Sequence, residues 1–250
     1  MAPKVFIITG ASKGIGAAIA QRLLSQSHKV VLAARSQEPL EAVKKSHPGQ
    51  VEYVAGDLTY PSTATKIVDI AVEAFGKVDG VIINHGMLIP KRLADTSIEE
   101  FRHVFDVNVF SNLAIAKAAL TELRKSKGCI LWVSSGAAVK SYTAWGSYGS
   151  SKAAINSISA HIAVEEPDIT SITVTPGRVN TDMQATLRAE GKESMNRAQY
   201  DSFVDAFNQG ELLEPEQPGN VIAAFVANPS KELSGKFVAW NSQELAAYQQ

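Results

Sequence analysis

Short apolar runs rich in β-branched residues recur along this chain, and each gives way to a longer stretch with helical spacing of its apolar positions. That alternation restricts the fold more than any other feature, because successive strands joined by helices must run parallel. Strands are expected near Lys4–Thr9, Val30–Ala34, Val51–Ala55, Gly80–Asn84, Cys129–Ser134, Ser171–Thr175 and Lys236–Ala239. Helices are expected near Ile15–Ser25, Pro39–Ser46, Ser62–Phe75, Ile98–Ser126, Tyr148–Ala163 and Pro218–Ala227. Val5-Phe6-Ile7-Ile8 is apolar at every position, so helices must cover both faces of the sheet. The expected fold class is α/β: a single-domain, doubly wound, Rossmann-type parallel sheet of about seven strands, with ligands at the strands' carboxyl ends.

A chain of 250 residues with 45% hydrophobic and 20% charged residues can bury one large core. No linker, repeat or low-complexity tract divides it, so 1–250 reads as one domain. One stretch, near 182–214, breaks the alternation. There Arg188, Glu190 and Lys192 mix with Met183, Leu187, Phe203 and Phe207. It reads as one or two amphipathic helices, either a plain surface excursion or a lid, and its position after the sixth strand favours a substrate lid. Net charge of −1 offers no attraction to nucleic acid or an anionic membrane. The single cysteine, Cys129, excludes an internal disulfide, and no apolar run approaches the ~20 residues that span a bilayer. A cytoplasmic protein is expected, with neither nucleic acid nor membrane as a partner.

The first strand ends in Thr9-Gly10-Ala11-Ser12-Lys13-Gly14-Ile15-Gly16, which opens directly into a helix. Gly10 permits a tight turn, Gly14 lets the backbone approach a pyrophosphate, and Gly16 lets the helix pack close to the strand. Phosphates then meet unpaired N–H groups and the positive end of the helix dipole. The spacing is G-x-x-x-G-x-G rather than G-x-G-x-x-G, so the strand–turn–helix setting carries the argument.

Chemistry concentrates in Tyr148-Gly149-Ser150-Ser151-Lys152, with Ser135 upstream. A free phenol, with a pKa of about 10, exchanges protons poorly at neutral pH. A lysine four residues on shares its helix face, and its ammonium is expected to lower the phenol's pKa. Ser135 is placed to hydrogen-bond a substrate carbonyl. Taken alone, such a pair is more often an ordinary surface contact; the glycine turn makes the catalytic reading the stronger one. His28, His47, His85, His103 and His161 show no metal-ligand spacing with cysteine or carboxylates, so no metal is expected.

With these motifs in order, the chain resembles the short-chain dehydrogenase/reductase family over nearly its whole length. The resemblance implies hydride transfer between a nicotinamide coenzyme and a small carbonyl or alcohol substrate. It implies Asn108 (in Val107-Asn108-Val109), Ser135, Tyr148 and Lys152 as the catalytic set. Tyr148 would exchange a proton with the substrate oxygen, and Ser135 would polarise it. Lys152 would lower the phenol's pKa and bond the nicotinamide ribose. Asn108 would hold a water linking Lys152 to solvent. The implied coenzyme site comprises Gly10, Ser12, Lys13, Gly14, Ile15, Gly16, Arg35, Ser36, Asp57, Leu58, Asn84, Gly86, Tyr148, Lys152, Pro176, Gly177, Val179 and Thr181. Within it Asp57 would contact adenine, and the Pro176–Thr181 turn would meet the nicotinamide end. The family's Asn-Asn-Ala-Gly motif reads here Ile83-Asn84-His85-Gly86. Asn84 is expected to link strands, and His85 is either a pocket residue or a packed, hydrogen-bonded one.

Ala34 sits where NAD-preferring relatives carry an aspartate, and Arg35 follows it. A guanidinium can fork onto a ribose 2′-phosphate, and Lys13 could add a second charge, so NADP is the expected coenzyme. The bland alternative is that both are ordinary exposed cations. The tail, Gly235-Lys236-Phe237-Val238-Ala239-Trp240-Asn241-Ser242, lacks the Asp-Gly-Gly ending of many tetrameric relatives. It more resembles the sepiapterin reductase and benzil reductase branch, which implies reduction of vicinal dicarbonyls and related ketones. Met87, Ala137, Tyr142, Trp145, Arg178 and parts of 183–207 are expected to face an apolar or aromatic substrate. Trp145 could equally pack its own loop, and Arg178 could bind an acidic substituent or the coenzyme. The resemblance also implies a homodimer or homotetramer through the two long helices. Alternatives to an NADPH-dependent ketone reductase are an NAD-dependent alcohol or steroid dehydrogenase and a non-catalytic nucleotide sensor on the same fold.

Overall fold

The computed structural model describes residues 2–249. Seven strands form one parallel sheet: β1 (Val5–Thr9), β2 (Lys29–Ala34), β3 (Val51–Ala55), β4 (Gly80–Ile83), β5 (Cys129–Val133), β6 (Thr170–Thr175) and β7 (Phe237–Ala239). Their order is β3-β2-β1-β4-β5-β6-β7, so the chain reverses its direction of travel between β1 and β4. A cleft opens at such a reversal, above the carboxyl ends of both strands. Every expected strand is present, displaced by at most one residue at either end.

Around the sheet lie α1 (Gly14–Ser25), α2 (Gln37–Ser46), α3 (Pro61–Phe75), α4 (Ile98–Phe105), α5 (Ser111–Ser126), α6 (Gly146–Glu165), α7 (Asp182–Glu190), α8 (Arg197–Asn208) and α9 (Glu216–Ala227). Successive residues of β1 alternate between two cores. Phe6 and Ile8 pack with Ile19, Leu23, Val221 and Phe225 of α1 and α9. Val5 and Ile7 pack with Ile67, Ile115, Ala119 and Ile155 of α3, α5 and α6. Both faces are dry, which is why the strand has no polar position before Thr9. Cutting Ile7 back to alanine would cost about 3 kcal/mol through lost burial and the cavity left behind.

The helix expected over Ile98–Ser126 is interrupted. A capping box starts α4: Ser97 Oγ accepts from the Glu100 N–H at 3.1 Å, and the Glu100 carboxylate accepts from the Ser97 N–H at 2.8 Å. A π-helical turn, Asp106–Phe110, then separates α4 from α5. Its extra residue shifts the helix phase and leaves Asn108 fully buried. Taken together, the 29 residues of Ile98–Ser126 contain a window of mean hydropathy 1.2, enough by length and composition to cross a membrane, which the run-length criterion had passed over. Val104, Val109, Ile115, Ala119 and Leu123 are buried in the protein's own core and account for that apolarity.

The interruption near 182–214 forms two helices, α7 and α8. Its far end is clasped to the loop after β6: Leu213 donates to the Arg178 carbonyl at 2.9 Å, and Asn180 donates to the Leu213 carbonyl at 2.8 Å. Leu187, Met195 and Phe203 of this segment close a third apolar cluster over Leu88, Ala137, Trp145 and Tyr148.

Candidate active site

The turn after β1 has the shape its glycines require. Gly10 and Gly14 take φ of +63° and +56°. A Cβ on Gly16 would lie 2.3 Å from the Gly10 carbonyl oxygen and 2.7 Å from Asn84 Nδ2. Among the described residues no side chain caps α1, and no acidic residue lies in its first turn. Its leading N–H groups are therefore open to an anion, and the turn fits the pyrophosphate of a dinucleotide. Asn84 is structural, as expected: Nδ2 donates to the carbonyls of Thr9 and Gly10 at 3.1 and 3.2 Å.

At the adenosine end, Ala34 is buried while Arg35 and Ser36 are exposed. Leu58 is buried beside the exposed Asp57. The Thr59 N–H and hydroxyl donate to Asp57 Oδ1 at 2.9 and 2.8 Å and, with help from nearby Arg35, hold this carboxyl below the usual carboxylate range. The Lys13 ammonium forms an exposed ion pair with the Asp182 carboxylate at the start of α7.

Ser135, Tyr148, Pro176, Gly177, Val179, Thr181 and Ile15 all line one cavity of about 200 Å³ at the carboxyl ends of β5 and β6. Lys152 and Asn108 are buried behind it. The Lys152 ammonium lies 5.8 Å from the centre of the Tyr148 ring and donates to the Val133 carbonyl at 2.9 Å. A Cβ on Gly86 would sit 3.2 Å from Asn108 Oδ1 and 3.4 Å from Lys152 Nζ, a close fit against both groups.

The proton chemistry differs from the sequence expectation. Burial pushes the Tyr148 phenol up to about 12, outweighing the opposing pull of the Ser135 hydroxyl. Burial also pushes the Lys152 ammonium down to about 8, so it is not a permanent cation. The two groups adjoin, and burial governs both shifts. At neutral pH the phenol keeps its proton and is equipped to give it rather than take it. Asn108 Nδ2 donates to the Met87 carbonyl and Ser151 Oγ, each at 2.9 Å, and its Oδ1 accepts from the Met87 N–H at 2.8 Å. These bonds fix the amide's orientation.

Over the cavity stands an aromatic wall. Trp145 stacks on Phe203 at 5.2 Å and meets Tyr142 at 5.1 Å, while its edge faces Tyr148 at 5.7 Å. Met183, Gln184 and Leu187 complete the wall, and Leu88 takes the place expected for Met87. Trp145 thus serves both readings, being 7% exposed and lining the cavity. Arg178 lines the cavity, as expected. Its guanidinium lies 4.3 Å from the centre of the Phe203 ring and donates to the Ser202 carbonyl at 3.0 Å. A larger open groove of about 390 Å³ between α1 and α9 is lined by Gln21, Arg22 and Asn220 and holds none of this chemistry. Among the described residues, no group of three or more His, Cys, Asp or Glu is placed to hold a metal ion.

Sequence reasoning missed Thr9, Ser111 and Ser151 as hydrogen-bonding supports, and Asp182 as the partner of Lys13. Ser151 Oγ, for instance, donates to the Tyr148 carbonyl at 2.7 Å while it accepts from Asn108. A serine among five in one helix carries no local signal of that role.

Known proteins match this arrangement. The short chain dehydrogenase family model covers residues 4–192. An uncharacterized oxidoreductase of Schizosaccharomyces pombe is 41% identical over 244 residues, 96% of this chain and 98% of that protein. The benzil reductase ((S)-benzoin forming) of Saccharomyces cerevisiae is 32% identical over 260 residues, 98% of this chain and 99% of its own. The crystal structure of a short chain dehydrogenase/reductase from Saccharomyces cerevisiae superposes with a TM-score of 0.96 at 34% identity, covering 99% of this chain and 100% of that one.

Proposed function

This chain belongs to the short chain dehydrogenase family of oxidoreductases, and from that premise we propose that it is an NADPH-dependent carbonyl reductase acting on ketones and vicinal dicarbonyls that carry aromatic or bulky apolar groups. The observation that carries the proposal is a protonated Tyr148 phenol and Ser135 opening into a cavity walled by Tyr142, Trp145 and Phe203. Such walls stabilise a flat apolar substrate, and the cation that lines the cavity, Arg178, is held against Phe203 and the Ser202 carbonyl. The similarity to a benzil reductase supports the same substrate class.

The nicotinamide, when bound, supplies the hydride that reduces the carbonyl carbon. Ser135 Oγ orients and polarises the carbonyl oxygen, and Tyr148 gives its proton to that oxygen as negative charge develops there. The product is the alcohol, and Tyr148 is left as a phenolate beside the Lys152 ammonium, whose charge stabilises it. The missing acid at Ala34 and the exposed Arg35 support NADP over NAD. The 182–214 segment serves as the substrate lid. The exposed Phe110 and Val164, on the long helices, support a homodimer or homotetramer in the cytoplasm, which light scattering would test.

The decisive assay is oxidation of NADPH with benzil, other diketones and simple ketones. Turnover of aryl diketones well above acyclic aliphatic ketones is expected. Tight NADPH binding without turnover across the panel would instead establish the nucleotide-sensor reading.

A further inference from the structure

We propose that His85 is a positioning residue, a half-buried strut that ties the end of β1 to the π-helical turn and so holds Lys152 and Asn108 in place behind Tyr148. The proposal rests on the reading that Lys152 serves the coenzyme. In the family motif this position is an alanine, whose side chain could reach neither neighbour. Here the imidazole reaches two: Nδ1 lies 2.7 Å from Thr9 Oγ1, and Nε2 lies 2.7 Å from Ser111 Oγ.

The hydrogen-bond network assigns the tautomer. Ser111 Oγ donates its one proton to the Val107 carbonyl at 2.7 Å, so it accepts from His85, and Nε2 carries the hydrogen. Nδ1 is then an acceptor, and the Thr9 hydroxyl donates to it at 2.7 Å in preference to the Ile82 carbonyl, which lies 3.4 Å away. Thr9 Oγ1 accepts in turn from the N–H groups of Asn84 and His85, at 3.0 and 3.3 Å. Every polar atom of the strut is used.

Its two ends meet different parts of the site. Thr9 is the last residue of β1, directly before the glycine turn. Ser111 begins α5, and through Val107 it braces the turn that carries Asn108. The residues after His85 lie beside the catalytic groups: a Cβ on Gly86 would come within 3.2 Å of Asn108 Oδ1 and 3.4 Å of Lys152 Nζ, and the Met87 backbone is clamped by the Asn108 amide. The strut therefore fixes the segment that runs beside the Lys152 head group. Burial, with Lys152 on α6 adding repulsion and Asp57 beyond β3 opposing it weakly, pushes the imidazole down to about 3, so it stays neutral at working pH.

The test measures NADPH binding against pH by fluorescence titration, without a carbonyl substrate. In the unaltered protein, affinity should weaken as pH rises through about 8, where Lys152 loses its charge. His85→Ala should admit water beside Lys152, move that limb about one unit higher, and weaken binding at neutral pH about tenfold. Ser111→Ala, which keeps the imidazole, should give a smaller loss in the same direction. The double variant should lose no more than His85→Ala alone, since both changes cut one connection. His85→Gln, which can restore an N–H towards Ser111, should recover part of the loss; with Ser111→Ala it also decides the matter should His85→Ala fail to fold. Wild-type affinity and an unmoved limb in these variants, with only melting temperature lowered, would overturn the proposal. Lys152→Met separates the two levels. Unchanged affinity in that variant would overturn the role of Lys152 and the strut's purpose together. A normal loss there, with His85→Ala and Ser111→Ala unaffected, would overturn the strut alone.

Discussion

The floor and the roof of the cavity are built on opposite principles. On the floor, Asn108, Ser151, Thr9, Ser111 and His85 are buried or nearly so and joined by bonds of 2.7–2.9 Å. In the roof, the segment over 182–214 is held by stacked rings, an exposed ion pair between Lys13 and Asp182, and a two-bond clasp at Leu213. Trp145 Nε1, Gln184 Oε1 and Arg188 Nη1, all at this interface, have no hydrogen-bond partner among the described residues. A satisfied buried network has one low-energy geometry, whereas stacked apolar surfaces tolerate sliding. The floor is suited to aligning a proton donor, and the roof to admitting substrates of different shape.

The comparison can be broken most sharply at the floor. Tyr148→Phe keeps the ring and deletes the proton; turnover should fall by about 10²–10⁴-fold while NADPH affinity persists, as steady-state kinetics and titration would show. Loss of both together would place Tyr148 in coenzyme binding instead. A smaller effect is expected in the roof: Phe203→Ala removes the partner of Trp145 and Arg178, and should lower kcat/KM for aryl diketones about 10–100-fold while sparing small ketones. An equal loss for all substrates would mean that the wall acts on alignment rather than selection.

The pH profile sharpens the contrast further. Tyr148 keeps its proton up to about 12, whereas Lys152 loses its charge at about 8, so reduction should decline as pH rises through the latter value. Stability follows a different group. His85 has an ordinary value of 6.5 that folding lowers to about 3, so the unfolded chain binds the proton first. The stability that its neutrality supplies is present above pH 6.5 and is lost progressively as pH falls towards 3. His85→Ala should flatten that acid limb of a melting curve series. The smallest effect belongs to the rim: Asp182→Asn cuts an exposed ion pair and should leave Tm within about 2 °C. It should free Lys13 for the coenzyme, so that Arg35→Asp with Lys13→Ala moves preference towards NAD more than Arg35→Asp alone. Unchanged ratios of catalytic efficiency with the two coenzymes would remove both cations from the account.

Much of the fold was legible because its signals are local. Seven strands appeared from short runs rich in apolar and β-branched residues, and the glycine turn from positions that tolerate no side chain. The π-helical turn was not legible, since one added residue in a long helical pattern leaves the apolar spacing intact on both sides. The tetrad residues were legible from their motifs, but their protonation was not. A lysine four residues after a tyrosine predicts attraction, whereas the cost of burying each depends on what covers them.

Periodicity and glycine placement alone determined a doubly wound sheet, a dinucleotide turn at its first strand and a tyrosine–lysine pair on one helix. Each of those is a property of neighbours along the chain. Only the folded molecule decided that Lys13 pairs with Asp182, that His85 spans Thr9 and Ser111, and that the phenol stays protonated. Those outcomes depend on burial and on partners brought together from far apart in sequence, and no local pattern of residues encodes either.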